Sequence, residues 1–365
     1  MRAAVLREAG APLTIEDVTL LPPRAGEVVV EIEAAGVCHS DYHYMTGDIS
    51  CPLPAVLGHE GAGTVVEVSP DSTGRISVGD RVALMWRPRC GQCRYCLEGN
   101  PVLCQLGRVQ AATGGLLDGT SRLRIGEETA HHFLGVSCFA ERVVVPERSV
   151  VGVPADVPAS IAAIAGCAVI TGVGAVTNAI GACAGESLLI IGAGGVGLSA
   201  VMGAQLAGAN PIIVVDMDDA KLELARRLGA THTINARTED TLSRVAEVAP
   251  DGVAWAIEAI GRPQTIRTAF SALQPGGTVV AVGLARVGED LGVPINELVQ
   301  RQKKLVGSLY GSSNPLLDIP RILDLYRSGR LPLDELLGAT YPLDAVNEAY
   351  TELARGSVGR SIIVP

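Results

Sequence analysis

Cys90-Gly-Gln-Cys93-Arg-Tyr-Cys96 is followed, after seven residues, by Cys104. Four thiolates this close in sequence can close a tetrahedral shell around zinc with no side chain from elsewhere. A full shell leaves no position for a substrate, so the role is structural. The metal replaces a hydrophobic core that so short a lobe could not build. The shell carries excess negative charge, which the neighbouring Arg87, Arg89 and Arg94 would offset. Four unrelated buried thiols or a redox pair is the competing reading, and the dense spacing disfavours it.

A second set is dispersed. Cys38-His39-Ser40-Asp41-Tyr42-His43 and Gly58-His59-Glu60-Gly61 each adjoin an apolar run. Cys38 and His59 are 21 residues apart and would meet only in a folded site. Cys167, in Ala165-Gly166-Cys167-Ala168, is available as a third ligand. Two thiolates and one imidazole leave a fourth position open, the catalytic type of zinc site, where the metal lowers the pKa of a bound alcohol or water. Taken singly, His59 also reads as an ordinary loop histidine and Cys167 as a small buried hydrophobe. Asp41 and Glu60 could accept the second ring N–H of a ligating histidine. The alternative for each is a solvated loop charge.

A third set is glycine-rich. Gly192-Ala-Gly194-Gly195-Val196-Gly197 follows the apolar residues 187–191 and opens a helical pattern. In that context the glycines give a tight turn, close backbone approach to a pyrophosphate, and close helix–strand packing. The pyrophosphate would lie on the helix N-terminus. The next apolar run ends at Asp216, followed by the neutral Met217. A carboxylate there accepts hydrogen bonds from a ribose diol and repels a 2′-phosphate, which favours NAD over NADP. A helix cap is the alternative role for Asp216.

The elements that must carry these residues change in texture along the chain. The first ~150 residues hold short β-type runs at 28–33, 64–68, 80–84 and 141–146, separated by loops rich in Cys, His, Gly and Pro. Residues 161–184 are rich in Ala and Gly at helical spacing. Strands are then expected at 187–191, 211–216, 253–257 and 278–282, with helices at 197–207 and 220–228. That alternation predicts a doubly wound parallel sheet. A helix near 320–327 and a strand at 361–364 end the chain. No internal repeat is visible.

Composition narrows the class. The 365 residues are 48% hydrophobic and 3% aromatic, with 43 glycines, which suits aliphatic strands packed closely against helices. The formal charge of −10 argues against nucleic acid as a partner. Residues 161–184 are interrupted by glycines and polar residues and read poorly as a membrane span. The start of the chain carries no signal-peptide pattern. A reducing cytoplasm is therefore expected, where nine cysteines point to metal or catalysis rather than disulfides.

With these motifs in place, the chain resembles the zinc-containing medium-chain alcohol dehydrogenases along essentially its whole length. GHEGAG at 58–63, the four-cysteine lobe, DGTSR at 118–122, HHFLG at 131–135, GAGGVG at 192–197 and IEAIGR at 257–262 carry the likeness. DGTSR and HHFLG look like the branch holding the liver-type enzymes and glutathione-dependent formaldehyde dehydrogenase. The resemblance implies an α/β fold: a doubly wound parallel-sheet (Rossmann) NAD-binding domain at 169–309, and a β-rich GroES-like catalytic domain with a zinc lobe at 1–168 and 310–365. It implies NAD and two zinc ions per subunit as cofactors.

Residue by residue, the resemblance implies that Cys38, His59 and Cys167 hold the catalytic zinc, and Cys90, Cys93, Cys96 and Cys104 the structural one. Ser40 would take the substrate proton and His43 pass it to solvent through the cofactor ribose. Asp41 and Glu60 would support the ligands. His39 and Arg360 would contact the pyrophosphate, Asp216 and Lys221 the adenosine ribose, and Thr171 and Val196 would pack behind the nicotinamide. Trp86 and Phe133 would line the substrate channel. Two departures stand out. The third-ligand motif reads Gly166-Cys167-Ala168 where the family has GCG. Arg108 matches an arginine that binds glutathione in the formaldehyde branch, whereas that branch has tyrosine in place of His43.

The implied activity is reversible hydride transfer between a primary or secondary alcohol and NAD, with a small-molecule substrate. The alternatives are oxidation of a glutathione– or mycothiol–formaldehyde adduct, an enzyme that retains NAD and needs an external acceptor, and a non-catalytic NAD-binding protein. The family implies a homodimer through the last strand of the nucleotide domain, expected at 306–309, with a homotetramer as the alternative. Cys51, Cys138 and Cys183 remain as plain small hydrophobes.

Overall fold

The computed structural model describes all 365 residues, Met1–Pro365. The chain divides into two compact units. The first comprises Met1–Cys167, Asn314–Gly329 and Leu337–Pro365; the second comprises Ala168–Ser313 and Arg330–Leu336.

The first unit is built on two sheets. In one, Thr14–Asp17, Arg2–Leu6, Ala55–Val56, Glu128–His132, Leu123–Ile125 and Thr19–Leu20 lie side by side in that order. In the other the order is Val150–Gly152, Arg81–Leu84, Gly61–Val68, Glu27–Gly36, Arg360–Val364 and Leu337–Pro342, with Arg142–Pro146 also pairing with Glu27–Gly36. Ala3 to Leu6, Val28, Val30, Val65, Leu84, Phe139 and Ile363 fill the core. One register decides where the chemistry sits. Ala35 pairs with Gly61 in antiparallel fashion. Cys38, two residues past one strand, and His59, two before the other, therefore leave the sheet at the same end. Ile363 pairs with the same Ala35, which carries Arg360 into this region.

The cysteine lobe has almost no regular structure. A four-residue helix, Arg94–Leu97, a 3-10 turn, Pro101–Leu103, and the helix Gln105–Thr113 carry its ligands.

The second unit holds the expected parallel sheet. In chain order its strands are Leu188–Ile191, Ile212–Asp216, His232–Asn235, Val253–Glu258, Leu273–Ala281 and Lys304–Gly307. They lie in the order third, second, first, fourth, fifth, sixth, and every pairing is parallel. That is the doubly wound order, with its topological switch between the first and fourth strands. Gly192, immediately after the first strand, sits at that switch.

The small residues expected at helical spacing over 161–184 lie in one helix, Ala159–Ile180, of 22 residues; its length and composition would suffice to cross a membrane, and its most apolar window, of mean hydropathy 2.0, is 89% buried inside the protein. Two expectations are corrected. The late helix starts earlier than expected and runs over Pro315–Arg327, so that Pro320 lies inside it, where its ring supplies no N–H to the helix. The last strand of the parallel sheet is Lys304–Gly307, and Ser308 and Leu309 lie beyond it.

Candidate metal centres and dinucleotide loop

All nine cysteines are free. Cys90, Cys93, Cys96 and Cys104 converge so that their sulfurs lie within 4.8 Å of one another. Cys90 Sγ is 3.9 Å from Cys96 Sγ, and Cys93 Sγ is 3.9 Å from Cys104 Sγ. A tetrahedron of Zn–S bonds of about 2.3 Å has edges of about 3.8 Å, so the spacing fits that ion. The Gln105 N–H, then that of Cys96, bring the Cys93 thiol down to about 6, whereas burial pushes Cys104 up to about 12. A metal binding here displaces protons from the thiols that still hold them.

Of the expected counter-charges, Arg87 lies close enough to Cys104 for their charges to attract. Arg94 is exposed and bonded to Glu98 at 2.7 Å. Arg87 lies over the Trp86 ring, its Cζ 4.8 Å from the centroid. The carbonyls of Arg89 and Cys90 instead accept from Arg148.

The second set also meets. Cys38 Sγ, His59 and Cys167 Sγ offer three ligand atoms within 4.8 Å, all buried. Cys167 Sγ is 3.3 Å from His59 Nε2. Local structure aims each one. Cys38 N-caps the helix His39–Thr46. Cys167 lies in a π-helical segment, Ala165–Val169, of the kind that re-aims side chains at functional sites. Its neighbour Gly166 has no room for a side chain, since a Cβ would stand 2.5 Å from the Leu84 carbonyl oxygen.

Asp41 and Glu60 are not solvated loop charges. Both are fully buried. Asp41 Oδ2 lies 3.0 Å from His59 Nδ1, while its Oδ1 accepts from the Gly58 N–H at 2.9 Å. Nδ1 thus faces the carboxylate and Nε2 the sulfurs. Burial alone would lower the His59 pKa, but Asp41 and the Cys38 thiolate outweigh it and push it well up. Cys167, as a hydrogen-bond donor, holds the Cys38 thiol well below its ordinary value, and its own thiol is pushed well up in turn. Such an electron-rich, buried trio suits a cation. Glu60 accepts a two-pronged bond from Arg360, Nε to Oε2 at 2.8 Å and Nη2 to Oε1 at 3.0 Å.

Aromatic rings wall this trio. The Phe133 and Trp86 rings stand edge-on to His59 with centroids at 5.7 and 6.2 Å. Tyr44, not singled out from the sequence, packs edge-on against Phe133 at 4.7 Å. Ser40 and His43 are one turn apart on the helix His39–Thr46. His43 Nδ1 is 3.2 Å from Asp48 Oδ2, a partner that no motif pointed to. His39 and Arg108 are exposed, Arg108 on the helix Gln105–Thr113.

In the second unit the glycine-rich loop has the geometry its pattern requires. Gly192 has φ of +100°, and a Cβ on Gly197 would fall 1.7 Å from the Gly192 carbonyl oxygen. The helix Gly195–Leu206 starts within the motif. Asp216 ends its strand, and its Oδ2 accepts from the Ala193 N–H at 2.7 Å. It does not cap the following helix; Asp218 does. Lys221 is half-buried on that helix, Asp219–Arg227. Thr171 is buried and Val196 half-buried. Of the residues expected at a dinucleotide, His39 and Arg360 belong to the first unit and the rest to the second.

Comparison with known proteins agrees with this chemistry. Residues 24–155 match the alcohol dehydrogenase GroES-like domain, and residues 195–327 match the zinc-binding dehydrogenase domain. An NDMA-dependent alcohol dehydrogenase of Amycolatopsis methanolica is 39% identical over 368 residues, covering 100% of this chain and 98% of the relative. An S-(hydroxymethyl)glutathione dehydrogenase of Paracoccus denitrificans is 35% identical, covering 100% and 99%. The crystal structure of benzyl alcohol dehydrogenase from Acinetobacter calcoaceticus superposes with a TM-score of 0.93 at 34% identity, covering 100% and 98%.

Proposed function

The chain belongs to the zinc-binding alcohol dehydrogenases, and from that premise we propose how its own residues carry out the reaction. It is a zinc-dependent alcohol dehydrogenase, an oxidoreductase acting on CH–OH donors. We propose two zinc ions per subunit, one held by Cys38, His59 and Cys167 and one by the four-cysteine lobe, with NAD as the partner in hydride transfer. The observation that carries the reading is the buried three-ligand trio with Asp41 behind His59. When bound there, zinc supplies a Lewis acid that lowers an alcohol's pKa, and NAD supplies the hydride acceptor.

The chain's residues do the rest. Asp41 fixes His59 in the tautomer that leaves Nε2 free to ligate. Ser40 Oγ accepts the alcohol proton, and His43 passes it outward. Asp48 holds His43 through Nδ1 and leaves Nε2 for that transfer. Trp86, Phe133 and Tyr44 exclude water from one side of the ligands. Glu60 sets the guanidinium of Arg360, which we assign with His39 to the pyrophosphate. The loop of Gly192, Gly194, Gly195 and Gly197 receives the same group, and Thr171 and Val196 support the nicotinamide. Asp216, held at Oδ2 by the Ala193 N–H, and Lys221 take the adenosine ribose. We place the enzyme in the cytoplasm, in keeping with nine free cysteines. A homodimer is supported by the strand Lys304–Gly307, exposed along its length at the edge of its sheet, and size measurement in solution separates it from a tetramer.

A second reading rests on the relatives. One is named NDMA-dependent and another acts on S-(hydroxymethyl)glutathione, and Arg108 would serve a thiol carboxylate. A panel of primary, secondary and benzylic alcohols, with formaldehyde plus glutathione or mycothiol, decides between them. Each is run with NAD, with NADP, and with NDMA as acceptor. Turnover of simple alcohols with NAD supports the first reading. Turnover only with the thiol adduct, or only with NDMA present, replaces it by the corresponding alternative.

A further inference from the structure

Arg87 is a cation with no carboxylate partner, and its one attractive neighbour in the sulfur lobe is Cys104. It follows Trp86, and its guanidinium lies over the Trp86 ring with Cζ 4.8 Å from the centroid. The side chain is half-buried, and its Nε is sealed from solvent with no hydrogen-bond partner. No carboxylate of the chain pairs with it. Its other charged neighbour on the helix Gln105–Thr113, Arg108, is a like charge that acts against it. A guanidinium withdrawn from water without an acceptor is costly, which is why buried arginines are found on carboxylates or phosphates.

The fold nevertheless makes room for it. Gly107 lies inside the helix Gln105–Thr113, where glycine costs roughly 1 kcal/mol relative to alanine. A Cβ at Gly107 would stand 2.9 Å from Arg87 Nη1 and 3.1 Å from Cδ. The missing side chain is therefore the slot in which Arg87 lies. The same guanidinium lies on one of the rings that wall the trio. Trp86 stands edge-on to His59, and Tyr44, which packs on Phe133, is close enough to act on the Arg87 charge, as is the Cys104 sulfur. The Trp86 ring thus touches His59 at its edge and the Arg87 guanidinium on its face.

We propose that Arg87 is an anion subsite of the substrate pocket, so that the substrate is an alcohol or aldehyde bearing a carboxylate about one ring's width from its reacting carbon. The inference rests on the alcohol dehydrogenase reading above and names the substrate class for it. The planar fork of Arg87 can donate two N–H groups to a carboxylate while its face stays on Trp86. No step of the reaction changes; the subsite orients the carbon that gives up the hydride.

The test compares 4-(hydroxymethyl)benzoate with benzyl alcohol in the wild type, Arg87→Gln and Arg87→Lys, and measures benzoate binding by calorimetry. The wild type should prefer the carboxylate substrate in kcat/KM. In Arg87→Gln that preference should fall on the order of tenfold or more, through KM, with benzoate affinity falling in parallel. Arg87→Lys should retain part of it. Formaldehyde plus glutathione forms a further arm: an Arg87-dependent preference for that adduct supports the subsite and makes the anion a thiol carboxylate. Oxidation of benzyl alcohol with no carboxylate preference overturns the subsite while the enzyme reading stands. Arg87-dependent benzoate binding without turnover of any alcohol supports the subsite while the enzyme reading fails. Loss of zinc or of melting temperature in Arg87→Gln, with the preference unchanged, makes Arg87 a counter-charge of the sulfur lobe and overturns the proposal.

Discussion

Asp41 Oδ2 stands 3.0 Å from His59 Nδ1, and neither side chain is reached by solvent. The contact orients the imidazole and enriches the nitrogen that faces Cys167. Asp41→Asn keeps an acceptor for the Gly58 N–H but removes the charge. Zinc affinity, read by competition with a chelator, should fall about 10- to 100-fold, with activity at saturating zinc reduced less. Unchanged affinity would make the contact incidental.

The cysteine lobe has few buried apolar side chains of its own, so its order depends on the metal. A Cys93→Ser, Cys96→Ser variant should lose one of two zinc equivalents per subunit and melt at lower temperature. Full zinc content together with full thermal stability would remove the structural-zinc assignment.

His43 lies at the outer end of the proposed proton path and is held by Asp48. His43→Ala should slow alcohol oxidation on the order of 100-fold, most severely at low pH, with partial rescue by small amine bases. Asp48→Asn should slow it less. A rate that no buffer base affects would exclude the relay.

Acid sensitivity has a specific source away from the metals. Burial first, then the charge of Arg122, brings the His132 pKa down to about 3, and its Nε2 accepts from the Arg122 N–H at 3.1 Å. An unfolded histidine titrates near 6.5, so between these values the unfolded chain binds a proton that the folded chain does not. The resulting stability is complete above about pH 6.5 and is lost as pH falls, by about 2 kcal/mol at pH 5. Denaturant unfolding of the wild type and His132→Gln at pH 7 and pH 5 should show a smaller acid loss in the variant. Equal losses would assign the sensitivity elsewhere.

Much of this was legible because it is local. The four-cysteine spacing, the Gly192 turn and the strand ending at Asp216 are written within a few residues each, and backbone geometry reads them directly. Cys38 and His59 were legible as ligand types, but their meeting needed the Ala35–Gly61 register. Glu60 and Arg360 are 300 residues apart, and no periodicity links them. The helix Ala159–Ile180 was legible from small residues at helical spacing, but not what its glycines pack against: a Cβ on Gly172 would fall 2.2 Å from the Val196 carbonyl oxygen. Arg87 and Arg94 look equivalent in sequence, yet one lies on Trp86 and the other on Glu98. Side-chain direction on an irregular lobe follows from packing, which spacing does not encode.

The most direct test is reduction of NAD by a benzylic alcohol, followed by nicotinamide absorbance, in zinc-loaded wild type and in Cys38→Ser with its zinc content measured. The account predicts turnover by the wild type, with NAD preferred over NADP, and its loss in Cys38→Ser together with one zinc equivalent. Undiminished turnover by a Cys38→Ser protein that lacks that equivalent would contradict it.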